Sequence, residues 1–120
     1  MGEIMNLSGH ARKLIIIVGE SDIVYQRPLY EAIIYAAKKY NIAGATVSKG
    51  ILSYGAESML HSSKTFALSD DIPVIIGLVD VDERLSDFAQ IINRLMDKAG
   101  SRGLITMEEV DVLRYGESHG

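Results

Sequence analysis

The heptapeptide KLIIIVG, Lys13 to Gly19, is a short apolar run, rich in Ile and Val, that stops at a glycine. Its length and β-branched content favour a buried strand over a helix. A polar turn leads to Pro28, a residue favoured at helix starts. Apolar residues then recur at helical spacing from Leu29 to Tyr40, and Gly44 follows as a stop signal. The chain therefore opens with a strand and a helix.

Further along the chain, the same patterns predict a second strand, a third strand, a second helix and a strand-like end. These segments are Ala45–Lys49, Pro73–Val79, Asp82–Ala99 with Gly100 as its closing glycine, and the two short pieces Leu104–Thr106 and Val110–Tyr115. The order is β-α-β twice, which predicts an α+β ferredoxin-like fold with an antiparallel sheet and two helices on one face. The other face of the sheet would stay bare, and self-association is the usual way to cover it.

Length and composition indicate one globular domain without disulfides. The chain has 120 residues, is 48% hydrophobic and contains no cysteine. We expect a domain over residues 13–116, with flexible tails at 1–12 and 117–120. The longest apolar run, Leu14 to Val18, is far below the roughly 20 residues of a membrane span, and no secretory signal is recognisable. By elimination, a cytoplasmic location without membrane insertion is predicted. A net charge of −4 argues against nucleic-acid binding.

Neither a metal site nor a catalytic site is indicated. The three histidines have no partner at ligand spacing. Asp80, Asp82 and Asp87 could in principle hold a hard cation, but capping of a helix and solvation of a strand end explain them more simply. His61 is followed by two serines, yet no acid is available to orient it as a base. We therefore expect no metal and no enzymatic activity.

Anion binding is the better-supported chemistry. Lys49 and Gly50 end a predicted strand, and Ser53–Ala56 supplies another small, glycine-containing stretch whose amides could face a phosphate. Arg84 opens the second helix, where the helix dipole disfavours a cation. It either pairs with Asp80 or Asp87, or it faces a bound phosphate. About twenty residues between the second and third strands show no regular period, which is typical of a functional or mobile loop.

Several stretches along the chain have a familiar order: Gly19–Asp22, Pro28–Ile33, Ala43–Gly50, Tyr54–Gly55, His61, Leu68–Ile76 and Leu104–Leu113. Together they resemble the bacterial and archaeal "domain of unknown function 190" family, a group of PII-like signalling proteins. The resemblance covers nearly the whole chain, from about Leu14 to Tyr115.

This resemblance implies a homotrimer that binds an adenine nucleotide as a regulatory ligand in its inter-subunit clefts. It also implies a loop over residues 51–71 that changes shape with ligand and is read by a partner, with a membrane transporter as one candidate. The implied nucleotide-binding residues are Lys49, Gly50, Tyr54, Gly55, Ala56, Asp80, Asp82 and Arg84, and the implied partner-loop residues are Glu57, His61 and Lys64. PII proteins carry a glycine-rich stretch after the third strand, whereas Val79–Glu83 is acidic here. A less charged ligand, AMP or ADP, is therefore expected.

Three alternatives remain. An acylphosphatase-like hydrolase on the same scaffold would use an arginine such as Arg27, but Asn6, Asn41 and Asn93 are poorly placed to orient a water. A CutA-type divalent-cation protein would share the trimeric fold. A protein-interaction module that works without a small ligand is the third alternative.

Overall fold

The computed structural model describes residues 9–50 and 71–116, which form six strands and two helices. In chain order these are β1 (Gly9–Gly19), β2 (Ile23–Val24), β3 (Arg27–Pro28), α1 (Leu29–Tyr40), β4 (Gly44–Lys49), β5 (Pro73–Asp80), α2 (Asp82–Ala99) and β6 (Leu104–Val112). Of these helices, neither combines the length and apolarity of a membrane-crossing segment, within the residues described.

Four strands make one sheet in the order β4-β5-β1-β6, and every neighbouring pair is antiparallel. Ile16 in β1 lies opposite Ile76 in β5 and Ile105 in β6, which fixes the register of the three strands. The strands β2 and β3, of two residues each, form a separate antiparallel hairpin. Two helices connect the strands as sequence periodicity indicated, and the predicted ferredoxin-like α+β fold is confirmed.

The core lies between the sheet and the two helices because strand residues alternate between faces. Leu14, Ile16 and Val18 of β1 are fully buried, whereas Ile15 and Ile17 between them are only half-buried. Phe88 of α2 is fully buried and packs its ring 5.3 Å from that of Tyr40. Each helix therefore contributes one apolar stripe to a single core.

The sheet face away from the helices is largely apolar and has no covering layer within the described chain. The register places Ile15, Ile17, Ile75 and Val79 on this open face, all half-buried, together with Leu104, which is 48% exposed. An apolar sheet face of this kind is what association with further subunits would cover.

The first strand is longer than predicted and begins at Gly9, so residues 9–12 do not belong to a flexible tail. Ala11 is 2% exposed, and the Arg12 guanidinium lies 3.6 Å from a Glu109 carboxylate oxygen on β6. The sequence did not predict this extension because it contains polar side chains and no apolar run. Its strand conformation comes from pairing with β6. The predicted tail residues 1–8 and 117–120 lie outside the described residues.

Three other boundaries differ from the sequence prediction. The two strand-like pieces at the C-terminal end are one continuous strand, β6, whose Glu108 and Glu109 are exposed at the sheet edge. Helix α1 ends at Tyr40, and its C-terminal cap is Asn41 rather than Gly44. Asn41 has a left-handed backbone conformation, with φ 62°. Val81, not Asp82, caps α2, whereas Gly100 closes it as expected.

Candidate functional site

Four strand ends meet at one end of the sheet, which we call the loop end: β1 and β4 finish there, and β5 and β6 begin there. The Gly50 amide donates a hydrogen bond of 2.7 Å to the Pro73 carbonyl. The chain therefore leaves the sheet at Gly50 and rejoins it at Pro73, in adjacent positions. Residues 51–70, between these two points, lie outside the described part of the chain.

Asp71 is attached to the loop that follows β1. The Ser21 hydroxyl donates to Asp71 Oδ2 at 2.7 Å, and the Ser21 amide donates to Asp71 Oδ1 at 3.2 Å. The Glu20 amide bonds to the Ile72 carbonyl at 2.8 Å. A Cβ atom on Gly19 would overlap the Asp71 carboxylate, so only glycine allows this close approach. These contacts fix the point where the 51–70 segment rejoins the sheet.

Asp22 joins the same loop to the start of β6. Its Oδ2 atom accepts the Gly19 amide at 3.0 Å and the Ser101 hydroxyl at 2.7 Å. The Gly103 amide in turn donates to Ser101 Oγ at 3.1 Å. This chain of hydrogen bonds makes the β1 and β6 sides of the loop end one rigid polar surface.

Lys49, at the end of β4, carries the cation of this surface. Its Nζ atom lies 2.7 Å from Glu20 Oε2 and 5.4 Å from the centroid of the Tyr30 ring. The hydrogen bond that Lys49 donates to Glu20, followed by the negative charge of Glu20, raises the pKa of Lys49 above its usual 10.5. The side chain therefore remains a full positive charge at neutral pH and is held beside an aromatic ring.

A groove of about 370 Å³ runs between α1 and the edge strand β4, and Tyr30 connects it to Lys49. Tyr35 and Val47 remain 56% and 44% exposed beside it. The lining is aromatic and aliphatic with charged residues at the rim: Arg27, Tyr30, Glu31, Ile34, Tyr35, Lys38 and Val47. A flat organic ring fits such walls, and a phosphate fits the neighbouring ammonium.

The opposite end of the sheet, which we call the anchor end, holds Asp80 at 4% exposure. Its carboxylate accepts hydrogen bonds from the Ala43 amide at 3.0 Å, the Val81 amide at 2.7 Å and Arg84 Nε at 3.1 Å. The prediction that Asp80 solvates a strand end is therefore wrong. Asp80 instead connects the start of β4 to the start of α2.

Arg84 is occupied by contacts within the protein. Besides Asp80, its Nη2 atom donates to the carbonyls of Tyr40 at 2.6 Å and Asn41 at 2.9 Å, and its guanidinium lies 5.0 Å from the Tyr40 ring centroid. These carbonyls belong to the C-terminal end of α1, where a cation is favourable. Of the two roles considered for Arg84, the geometry favours pairing with Asp80.

The implied nucleotide residues thus fall into separate groups. Lys49 and Gly50 lie at the loop end, whereas Asp80, Asp82 and Arg84 lie at the anchor end. Lys49 is opposite Val74, six positions before Asp80 on β5, which separates the two groups by roughly 20 Å within one chain. The remaining implied residues lie outside the described part of the chain: Tyr54, Gly55, Ala56, Glu57, His61 and Lys64.

The sequence did not single out the polar residues that organise the loop end. Ser21 and Asp22 entered only as part of a family-like stretch, and Asp71 and Ser101 did not enter as site residues. The single available signal was the GESD motif directly after a buried strand. Within residues 9–50 and 71–116, no group of three His, Asp or Glu side chains is arranged to hold a metal ion.

The fold is similar to that of solved PII-like proteins. CPII, a nitrogen regulatory PII-like protein from Thiomonas intermedia K12, superposes in its apo form with a TM-score of 0.59 at 13% identity, covering 86% of this chain and 91% of CPII. CPII bound to ADP, AMP and acetate gives a TM-score of 0.62 at 14% identity, covering 88% and 91%. At these identities, the similarity is one of fold.

Residues 11–112 match the DUF190 family, described as "Uncharacterized ACR". The UPF0166 protein of Aquifex aeolicus (strain VF5) is 31% identical over 103 residues, covering 85% of this chain and 93% of that protein. The UPF0166 protein MJ1524 of Methanocaldococcus jannaschii is 32% identical over 109 residues, covering 91% and 96%. The chain belongs to the DUF190 family, and the resemblance stated from its sequence motifs is confirmed.

Proposed function

We propose that this protein is a PII-like regulatory protein that binds AMP or ADP in the clefts between the subunits of a homotrimer. The observation that carries the proposal is the position of Lys49: a charged ammonium at the end of a tyrosine-lined groove, beside the point where the 51–70 segment leaves the sheet. CPII, which shares the fold, is described with bound ADP and AMP, and this supports the choice of ligand class.

The groove supplies the two kinds of contact that an adenine nucleotide needs. The rings of Tyr30 and Tyr35 offer apolar faces on which a base can stack. Lys49, at one end, and Arg27, at the rim, offer cations to a phosphate. A volume of about 370 Å³ lies at the lower end of the usual range for ligand sites, which favours a mononucleotide with few phosphates.

The two edges of the sheet support assembly into a ring. Cations flank the β4 edge, whereas β6 exposes Glu108, Glu109 and Asp111 along the other edge. Strands β4 and β6 run in opposite directions, so β6 of a second copy can approach β4 in an antiparallel orientation. Such head-to-tail contacts generate a ring of three when the rotation between neighbouring subunits is one third of a turn. They would turn the groove beside β4 into an inter-subunit cleft, with the apolar open face inside the assembly.

Regulation would act through the segment between Gly50 and Asp71. A nucleotide that binds one arrangement of this segment more tightly shifts its population toward that arrangement, by no more than the difference in affinity. A partner protein, with a membrane transporter as one candidate, would then read the segment. In this proposal the nucleotide is bound and released unchanged, and no residue acts as a catalyst.

The test of the proposal is a thermal-shift and calorimetry panel of adenosine, AMP, ADP, ATP and cyclic AMP. A ligand at about a hundred times its Kd adds about 2.7 kcal/mol, which raises the Tm of a domain of this size by roughly 10 °C. We expect that shift with AMP or ADP. No shift with any member of the panel would overturn nucleotide binding, and conversion of the nucleotide, followed by chromatography, would favour the hydrolase alternative.

Two variants locate the ligand. Lys49→Met removes the cation beside Tyr30 and is expected to weaken AMP binding about tenfold, since a charge-assisted contact is lost. Lys98→Met is the matched control, because Lys98 lies on α2 and lines a different groove. If the two variants lose AMP affinity equally, the groove beside β4 is not the nucleotide-binding site.

Assembly is tested separately by light scattering. The unaltered protein is expected to have the mass of three subunits. Ile17→Lys places a charge on the apolar open face and is expected to give monomers, whereas Gln90→Lys, at an exposed position of α2 on the helical side of the sheet, should leave the mass unchanged. A monomeric unaltered protein would overturn the proposed cleft.

A further inference from the structure

Three carboxylates lie among the described residues of the loop end, namely those of Glu20, Asp22 and Asp71. The cations near them are Lys49, Arg102 and, at the rim of the groove, Arg27. Carboxylates beside a phosphate contact repel the ligand, because each phosphate group brings further negative charge. The acidic side chains therefore need a role of their own.

The three carboxylates have different kinds of partner. Asp22 and Asp71 accept hydrogen bonds from serine hydroxyls and backbone amides, which fixes them in the loop structure. Glu20 instead accepts a hydrogen bond from the Lys49 ammonium at 2.7 Å. The Glu20 backbone amide donates a hydrogen bond to the Ile72 carbonyl, so the Glu20 side chain starts from a fixed position beside Lys49. A phosphate that reaches Lys49 must compete with this carboxylate.

We propose that Glu20 is a specificity-determining residue that limits the number of phosphate charges the site accepts, because its carboxylate competes with the ligand for Lys49. The inference rests on the proposed function and deepens it: the ligand class becomes a nucleoside monophosphate, with triphosphates discriminated against. Adenosine carries no phosphate charge and is indifferent to Glu20. Each added phosphate increases the repulsion from the Glu20 carboxylate. The affinity gained by removing that carboxylate therefore rises with the number of phosphates.

The inference has a salt dependence of known direction. Glu20 and Lys49 are 35% and 48% exposed, so their interaction with a ligand is screened by dissolved ions. Discrimination between AMP and ATP is therefore largest at low ionic strength. It decreases as the Debye length falls below the distance from Glu20 to the outer phosphates of ATP.

The experiment compares Glu20→Gln with the unaltered protein by calorimetry against adenosine, AMP, ADP and ATP, in a buffer free of divalent cations. In the variant, the affinity for adenosine is expected to stay unchanged. The affinity for AMP is expected to rise about twofold to threefold, and the affinity for ATP about tenfold or more. The gain for ATP is expected to shrink between about 20 mM and about 500 mM salt. Glu83→Gln is the matched control, because it makes the same change in net charge in the first turn of α2, at the anchor end.

Each outcome has one meaning. The inference is supported if the gain in affinity rises with the number of phosphates in Glu20→Gln, and if Glu83→Gln shows no such rise. Equal gains for all four ligands, equal gains in the two variants, or tighter binding of ATP than of AMP by the unaltered protein overturn the role of Glu20 and leave nucleotide binding standing. Failure of every ligand to bind any of the three proteins overturns the proposed function and this inference with it.

Glu20→Ser provides a second route to the same answer if Glu20→Gln does not fold. It removes the carboxylate that competes for Lys49 and leaves the Lys49 ammonium in place. The variant is expected to raise the affinity for ATP more than the affinity for AMP, and to leave the affinity for adenosine within twofold. An equal change for the three ligands contradicts the competition between Glu20 and phosphate.

Discussion

The two ends of the sheet use similar residues for different purposes. At the anchor end, Asp80 is 4% exposed and receives three hydrogen bonds, and Arg84 fills its donors with Asp80 and with helix carbonyls. At the loop end, Glu20 and Lys49 form one ion pair that is open to solvent. The anchor-end carboxylate is buried in protein, although the Arg84 side chain is 37% exposed, whereas both members of the loop-end pair are open to solvent where a ligand would arrive.

This difference separates stability from binding. A buried carboxylate with all its partners within the protein cannot exchange them without a large loss in the free energy of unfolding. An exposed ion pair contributes little to that free energy, so its partners can be exchanged for a ligand. Charged residues at the anchor end are therefore expected to affect folding, and those at the loop end to affect affinity.

The largest expected effect is that of Asp80→Ala. The substitution leaves two amides and the Arg84 guanidinium without their acceptor, and we expect the free energy of unfolding to fall by about 3 kcal/mol. Urea denaturation measures this change. Asp82→Ala, at an exposed neighbouring position, should cost less than about 0.5 kcal/mol. Similar losses in the two variants would contradict the structural role of Asp80.

Arg84→Gln is expected to have the next largest effect. It removes the donors that join α2 to the end of α1 and should cost about 2 kcal/mol of stability, with AMP affinity unchanged within about twofold. Arg84→Lys keeps the charge but not the planar set of donors and should also lose stability. A large loss of AMP affinity with stability retained would restore the alternative that Arg84 faces a phosphate.

Ser101→Ala tests the rigidity of the loop end. Loss of the 2.7 Å hydrogen bond to Asp22 should lower the free energy of unfolding by about 1 kcal/mol. Ser86→Ala is a suitable control because its hydroxyl makes only an exposed 3.3 Å contact with Asp82, and its effect should stay within a few tenths of a kcal/mol. If thermal unfolding shows the same loss of stability for the two variants, the hydrogen-bonded connection between β1 and β6 does not stabilise the protein.

The smallest effect concerns pH. Glu20 raises the pKa of Lys49 above 10.5, so the stabilisation from this pair is fully present below that value and is lost only as pH rises through the pKa in the folded protein. AMP affinity measured by calorimetry is therefore expected to stay flat from about pH 7.5 to about pH 9.5. A decline within that window would show that another group, not Lys49, carries the phosphate contact.

Local patterns were sufficient to predict the fold. The apolar runs of β1 and β5 and the apolar stripes of the two helices are visible within ten to twenty residues of sequence. The two extensions that were missed, residues 9–12 and the middle of β6, are polar because they lie at or beside an exposed sheet edge. Their strand conformation comes from pairing with a neighbouring strand, which local sequence does not reveal.

The candidate site was less predictable for the same reason. Lys49 was identified because a cation and a glycine ended a predicted strand. Ser101 and Asp22, in contrast, are 79 residues apart, and Arg84 is 44 residues from the carbonyl of Tyr40. No period or motif connects such positions before the chain is folded. The family resemblance grouped the end of β4 with residues of the anchor end for a site between subunits, and within one chain these two groups lie roughly 20 Å apart.

The first and last strands of the sheet also determine how the protein can be tethered. Gly9 lies directly opposite Val112, and the Tyr115 hydroxyl reaches the Ala43 carbonyl at the same anchor end. β1 then runs for 11 residues, or roughly 35 Å, before it reaches the loop end. A surface linker or fluorescent domain attached just outside either terminal strand would therefore start from the anchor end. Immobilised in this way, the molecule would present Lys49 and Gly50 to solution.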